Sequence, residues 1–163
     1  MHPERIEPEV GQESVWDYPR PPRIEPTSEH VVVAFHGTSM ADTTNALRVL
    51  ETSQPPAYYI PRGDVRFGGL RPSSALTFCE WKGEASYYDL DVPAATIEQV
   101  AWTYRHPLHD FAPLFDHIAF YPQKLDCSVD GERVVANEGS FYGGWVTSKI
   151  IGPFKGSPGS DWW

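Results

Sequence analysis

The sequence predicts an all-β protein, and three observations carry that prediction. Short runs of β-branched and aromatic residues recur along the chain, such as Val31-Val32-Val33-Ala34-Phe35 and Tyr58-Tyr59-Ile60. Glycine and proline, 13 and 16 of the 163 residues, fall largely between those runs, where turns belong. Helical spacing of apolar residues is confined to residues 108–115, with Phe111, Leu114 and Phe115 on one side, which makes one or two turns at most. The length suits one domain with its own core, and 40% hydrophobic with 13% aromatic residues argues for a folded chain.

Taken in order, residues 1–28 form an extended Pro-rich N-terminal arm. Tyr18-Pro19-Arg20-Pro21-Pro22 can enter neither a helix nor a central strand. Residues 1–12 fit a disordered leader, whereas Val15-Trp16-Asp17-Tyr18 should be pinned to the domain, because Trp and Tyr gain much by burial. Residues 29–163 then read as a single domain. The run at 31–35 is a strand that ends in a turn at His36-Gly37. Residues 41–51 have helix-forming composition, yet Leu47 and Val49 alternate with Arg48, and Pro55-Pro56 follows, which favours a strand. Tyr58-Tyr59-Ile60-Pro61 is a strand that stops on its proline. Residues 77–88 read as one strand bent at Gly83, continued by residues 89–92. Residues 99–104 and 118–121 are further strands. Asp126-Cys127-Ser128-Val129 and Glu132-Arg133 flank Asp130-Gly131, a pair suited to a two-residue primed hairpin turn. Residues 139–159 are dense in glycine and proline, and Gly143-Gly144 beside aromatic residues suggests backbone passing close to a ring or a ligand.

Charge and cysteine content exclude several classes. A net charge of −9, with no cluster of Lys or Arg, argues against nucleic acid or an anionic membrane as partner. Two cysteines are too few for a disulfide framework and cannot complete a four-ligand zinc site. No apolar run is long enough for a membrane span and no signal-peptide pattern opens the chain, so the expectation is a cytoplasmic protein. No cofactor is implied, and a homodimer is left open.

Several blocks together resemble a known family. These are Ala41-Asp42-Thr43, Leu50-Glu51, Tyr58-Tyr59-Ile60-Pro61 with Asp64, Cys79-Glu80-Trp81-Lys82-Gly83, Ala101-Trp102, Ala119-Phe120-Tyr121, Phe141-Tyr142-Gly143-Gly144-Trp145-Val146-Thr147 and Gly152-Pro153-Phe154-Lys155-Gly156. In this order they are similar to the bacterial domain of unknown function 427 family. The resemblance implies a two-sheet Mss4-like (β-tent) fold with short helical turns, grouped with methionine sulfoxide reductase B and the thalidomide-binding domain of cereblon. Many β-tent proteins hold zinc on paired cysteines; this chain has no Cys-x-x-Cys, so zinc is not carried over. His36 stands where relatives commonly have a small residue before the turn glycine. The nucleotidyltransferase-like label sometimes attached to the family finds no paired-aspartate motif here.

Four groups of residues are candidates for chemistry. Trp81, Trp102, Trp145, Tyr58, Tyr104 and Tyr142 could line a cleft that clamps a planar or cationic group, or they could simply fill a small core. Glu80 and Lys82, two apart on a strand, would share a face, with Lys82 holding a carboxylate or phosphate, Glu80 accepting, and Lys155 as a third polar contact; a structural ion pair is the alternative. Cys79 would share the opposite face with Trp81, as a nucleophile near Lys82 or as a buried small hydrophobe. His106 and His109, around Pro107, lack the register of a zinc pair. The preferred reading is a small-molecule-binding domain with ligand contacts from Trp81, Lys82, Glu80, Trp102, Tyr142, Trp145 and Lys155. The competing readings are an enzyme using Glu80, Cys79 or Lys82 on a small polar substrate, and a purely structural or interaction module.

Overall fold

The computed structural model describes residues 3–137, 143–156 and 159–163. It is all-β, with strands β1 (Glu13–Ser14), β2 (Arg23–Pro26), β3 (Val31–Phe35), β4 (Thr38–Thr43), β5 (Leu47–Leu50), β6 (Ala57–Pro61), β7 (Leu70–Cys79), β8 (Gly83–Val92), β9 (Ala95–Thr103), β10 (His117–Phe120), β11 (Asp126–Val129), β12 (Glu132–Arg133), β13 (Val135–Ala136), β14 (Trp145–Val146) and β15 (Ile150–Ile151). Three short 3-10 helices, Val15–Asp17, Arg62–Asp64 and His109–Leu114, are the helical content of the described residues. The last of them lies where apolar spacing predicted a helix. Among the described residues no helix is long and apolar enough to cross a membrane.

A seven-stranded sheet, β2-β5-β6-β10-β9-β8-β7, is the frame of the molecule, and a four-stranded sheet, β12-β11-β3-β4, accompanies it. Alternation along the strands gives the large sheet two unlike faces. Tyr58, Ile60, Tyr88, Leu90, Val100, Ile118 and Phe120 join Val31, Val33, Cys127 and Val129 of the smaller sheet in the main core. Tyr59, Tyr87, Trp102, Ala119 and Tyr121, each one position along from a core residue, form a second, largely aromatic cluster on the other face.

Turn chemistry explains the hairpins. Asp130 and Gly131 both have positive φ (49° and 81°), the primed turn that Asp-Gly favours between β11 and β12. His36 and Gly37 take the same form, φ 46° and 81°, between β3 and β4, so the turn tolerates histidine in a left-handed conformation. Residues 41–51 split into β4 and β5 and are not helical, because Val49 and Leu50 are needed for two different apolar clusters.

Arg48, the polar residue between Leu47 and Val49 on β5, is buried. Its side chain is only 9% exposed and binds Glu13 at 2.7 Å and Glu25 at 2.8 Å. That pair of bonds ties β5 to the N-terminal segment. The segment is fastened further by Val15, fully buried against Leu50 and Ile150, by parallel pairing of β1 with β15, and by the Trp16 indole N–H donating to the Pro153 carbonyl at 2.9 Å.

Candidate functional site

The aromatic face of the large sheet is not sealed. A cavity of about 590 Å³ opens there, lined by residues of β5 to β9, the loop after β5, Tyr104, Tyr121 and Gly143-Gly144. Its size lies within the range of about 300–1,000 Å³ typical of ligand pockets.

Cys79-Glu80-Trp81-Lys82-Gly83 forms one wall, but not as the continuous strand expected. Cys79 pairs with Gly83, and residues 80–82 are the loop of the β7–β8 hairpin. Gly83 is required at this corner. Its φ is +106°, and a Cβ would lie 3.2 Å from the His106 carbonyl and 3.3 Å from Leu108 Cγ. The Leu108 N–H donates to the Lys82 carbonyl at 3.1 Å, so the segment before the His109–Leu114 helix braces the hairpin tip. Strand alternation therefore does not sort these side chains onto opposite faces. Cys79, Glu80, Trp81 and Lys82 all line the same cavity.

The floor is a set of rings, and the polar atoms of Trp102, Tyr59 and Tyr87 among them are hydrogen-bonded. The Trp102 indole N–H donates to the Tyr59 hydroxyl at 3.1 Å, and Thr77 and Tyr87 share a hydrogen bond of 2.7 Å. Trp102 packs on Tyr121 with centroids 4.5 Å apart, and Tyr59 meets its edge at 6.0 Å. Gly143 lies directly on the indole, where any Cβ would overlap the ring, so glycine lets the backbone cover Trp102. Burial pushes the phenols of Tyr59, Tyr104 and Tyr121 upward, more than the Lys82 charge and the Trp102 donor bring Tyr59 down. All three stay neutral at physiological pH.

Lys82 is the one Lys or Arg among the described residues that line the cavity. It is half-buried, and its ammonium lies 6.0 Å from the Tyr104 ring centre. Burial works against its charge, but Tyr59, Cys79 and Glu51 outweigh that, so its pKa sits above the ordinary lysine value. Among the described residues no carboxylate forms an ion pair with it; Glu51 is paired with Arg20 at 3.5 Å, and Glu80 is exposed at the cavity rim.

The other expected site residues lie elsewhere. Trp145 does not line this cavity. It is fully buried in the core between the sheets, 4.9 Å from Tyr58, with its indole N–H on the Phe120 carbonyl. Tyr58 is likewise on the core face, its hydroxyl on Glu29 at 2.9 Å. Lys155 is held through its backbone, its N–H on the Ser53 carbonyl and its own carbonyl accepting from Asn137, and it is absent from the cavity lining. Tyr142 lies outside the described residues. Tyr59, Tyr87, Tyr121, Thr77 and Glu51 line the cavity without having been expected there. In Tyr58-Tyr59 and Tyr87-Tyr88 both parities are aromatic, so periodicity could not say which ring faces which way.

Both cysteines are free and lie in clusters on opposite faces of the sheet, Cys79 beside the cavity and Cys127 in the core, so they do not form a catalytic and resolving pair. Among the described residues no three His, Cys, Asp or Glu side chains converge as metal ligands, and His106 and His109 are part of no such group.

A model of the family described as Domain of unknown function (DUF427) matches residues 23–131. No curated protein matches the chain.

Proposed function

The chain belongs to the domain of unknown function 427 family, and we propose that its hairpin-walled cavity binds a small molecule with a flat unsaturated face and an anionic group. The single observation that carries this reading is Lys82, a half-buried ammonium in ion-pair contact with no carboxylate among the described residues, set in a ring-lined cavity. The flat face would lie against Trp102 and Trp81, each contact contributing about 0.5–1.5 kcal/mol. The anion would sit on Lys82. Glu80 at the rim is the acceptor available to a ligand N–H or O–H. With the phenols and Lys82 held in their ordinary protonation states, the site is suited to binding more than to proton transfer near pH 7.

A second reading, thiol chemistry, is favoured by one observation: the Cys79 side chain, a free and only partly buried cysteine, lines the same cavity as Lys82.

The test is a tryptophan-fluorescence titration with matched pairs of aromatic carboxylates and their carboxamides. Saturable quenching by carboxylates, at least tenfold tighter than by the amides and lost in Trp102→Leu, supports the anion site. Equal response to both members of every pair would exclude it. Alkylation of Cys79 at the rate of a free model thiol would exclude the second reading.

A further inference from the structure

A second cavity, of about 460 Å³, lies on the other side of the large sheet from the hairpin cavity. It opens where the β3–β4 turn meets the β8–β9 turn, at one end of the main core. Met40 and Leu90, 6% and 1% exposed, are the buried members of its lining, with Phe35 and Val92 partly buried beside them. The glycine pair Gly68-Gly69 runs past it; a Cβ on Gly69 would lie 2.7 Å from Val92 Cγ1, so glycine lets that backbone close on the apolar wall.

The charge of this cavity runs against that of the protein. The chain carries 22 acidic residues, yet none of the residues lining this cavity is Asp or Glu. Its ionisable groups are Arg66 and His36. The neighbouring Asp91 is taken by Arg71 at 2.7 Å, and among the described residues no carboxylate pairs with the exposed Arg66 guanidinium. The His36 ring is stacked flat on Phe35, centroids 4.1 Å apart and planes 10° apart, which keeps the imidazole at the rim.

We infer that this cavity is a binding site for a small amphiphilic carboxylate: an unbranched apolar chain among Met40, Leu90 and Val92, with its head group on Arg66. A guanidinium presents two parallel N–H donors that match a carboxylate, whereas an alcohol of the same length gains the apolar contacts alone. This site shares no residue with the hairpin cavity and stands whether or not that cavity binds an anion.

The test uses the full chain with carbon-13 methyl-labelled methionine. The sequence has two methionines, Met1 and Met40, so the Met40 methyl reports on this cavity. Sodium octanoate should shift the Met40 methyl saturably, and octan-1-ol should need about fivefold higher concentration. Arg66→Gln should remove that difference. Ala94→Trp, at an exposed turn on the rim, should fill the cavity and abolish both responses while the backbone amide spectrum stays folded. A Met40 methyl unmoved by octanoate to its solubility limit, or equal binding of acid and alcohol to the native protein, overturns the inference.

Discussion

Replacing Lys82 by methionine separates the function of the hairpin cavity from its stability. Methionine keeps the aliphatic stem beside the Tyr104 ring and removes the ammonium. A hydrogen bond to a charged group is worth about 1.5–3 kcal/mol; Lys82 is only half-buried, so the lower part of that range, about 1.5–2 kcal/mol, applies. A bound carboxylate should therefore lose about ten- to thirtyfold in affinity, and its amide analogue less than about threefold. Folding should change little, because no ion pair is broken among the described residues. The expected shift is below about 1 kcal/mol, or less than about 0.5 M in the urea midpoint. The raised pKa sets the pH profile as well. The charge on Lys82, and any stability it contributes, is fully present below the ordinary lysine value of 10.5 and is lost only as pH rises through the higher folded value. Carboxylate affinity should thus be flat from about pH 6 to 9 as far as Lys82 sets it. The assays are fluorescence titration and urea unfolding of the same preparations. Equal losses for carboxylate and amide would refute the reasoning. So would a destabilisation above about 3 kcal/mol, which would make Lys82 a structural group.

Other substitutions probe the frame around the site. Arg48→Ala should cost about 3 kcal/mol, the bottom of the range for stranding a buried pair, because Glu13 and Glu25 are 41% and 40% exposed and can rehydrate. Burial pushes Glu13 up, yet Arg48 and Tyr18 hold it below its ordinary value of 4.5. Its contribution is thus present above that pH and lost as pH falls through the lower folded value, so urea midpoints of the native chain should fall more steeply in acid than those of Arg48→Ala. Gly83→Ala should cost about 1–3 kcal/mol and weaken ligand binding, since the hairpin tip must move away from the His106 carbonyl; thermal melts and titration read both effects. Mass spectrometry after iodoacetamide treatment should find Cys79 modified in the folded protein. Cys127, 1% exposed and with its thiol pushed far up chiefly by burial, should react only after unfolding.

Local chemistry made much of the fold legible. Asp130-Gly131 announces its hairpin because few other pairs accept two positive φ angles, and the β-branched run at 31–35 can hardly be anything but a buried strand. Residues 108–115 carry the spacing of their short helix. Gly143 beside an aromatic ring was likewise readable as a close backbone approach, and the ring proves to be Trp102. The site was legible only in part. Residues 80–82 were read as strand, because nothing local distinguishes a three-residue hairpin loop from a bend at Gly83. That error divided into two faces a group that the fold gathers around one cavity.

Composition and local pattern by themselves determined an all-β chain, its main turns, and the clustering of a thiol, a carboxylate, an indole and an ammonium in one short segment. Only the tertiary structure decided which rings face that segment. Strand periodicity gives parity but not direction, and a chain that places tyrosine at both parities of the same strand leaves the choice to sheet packing. The smaller sheet covers Tyr58, Tyr88 and Trp145, and this leaves Tyr59, Tyr87 and Trp102 to floor the cavity. Arg48 obeys the same physics. Its neighbours in sequence suggest an outward polar residue, and it is buried because two carboxylates from the N-terminal segment arrive to meet it.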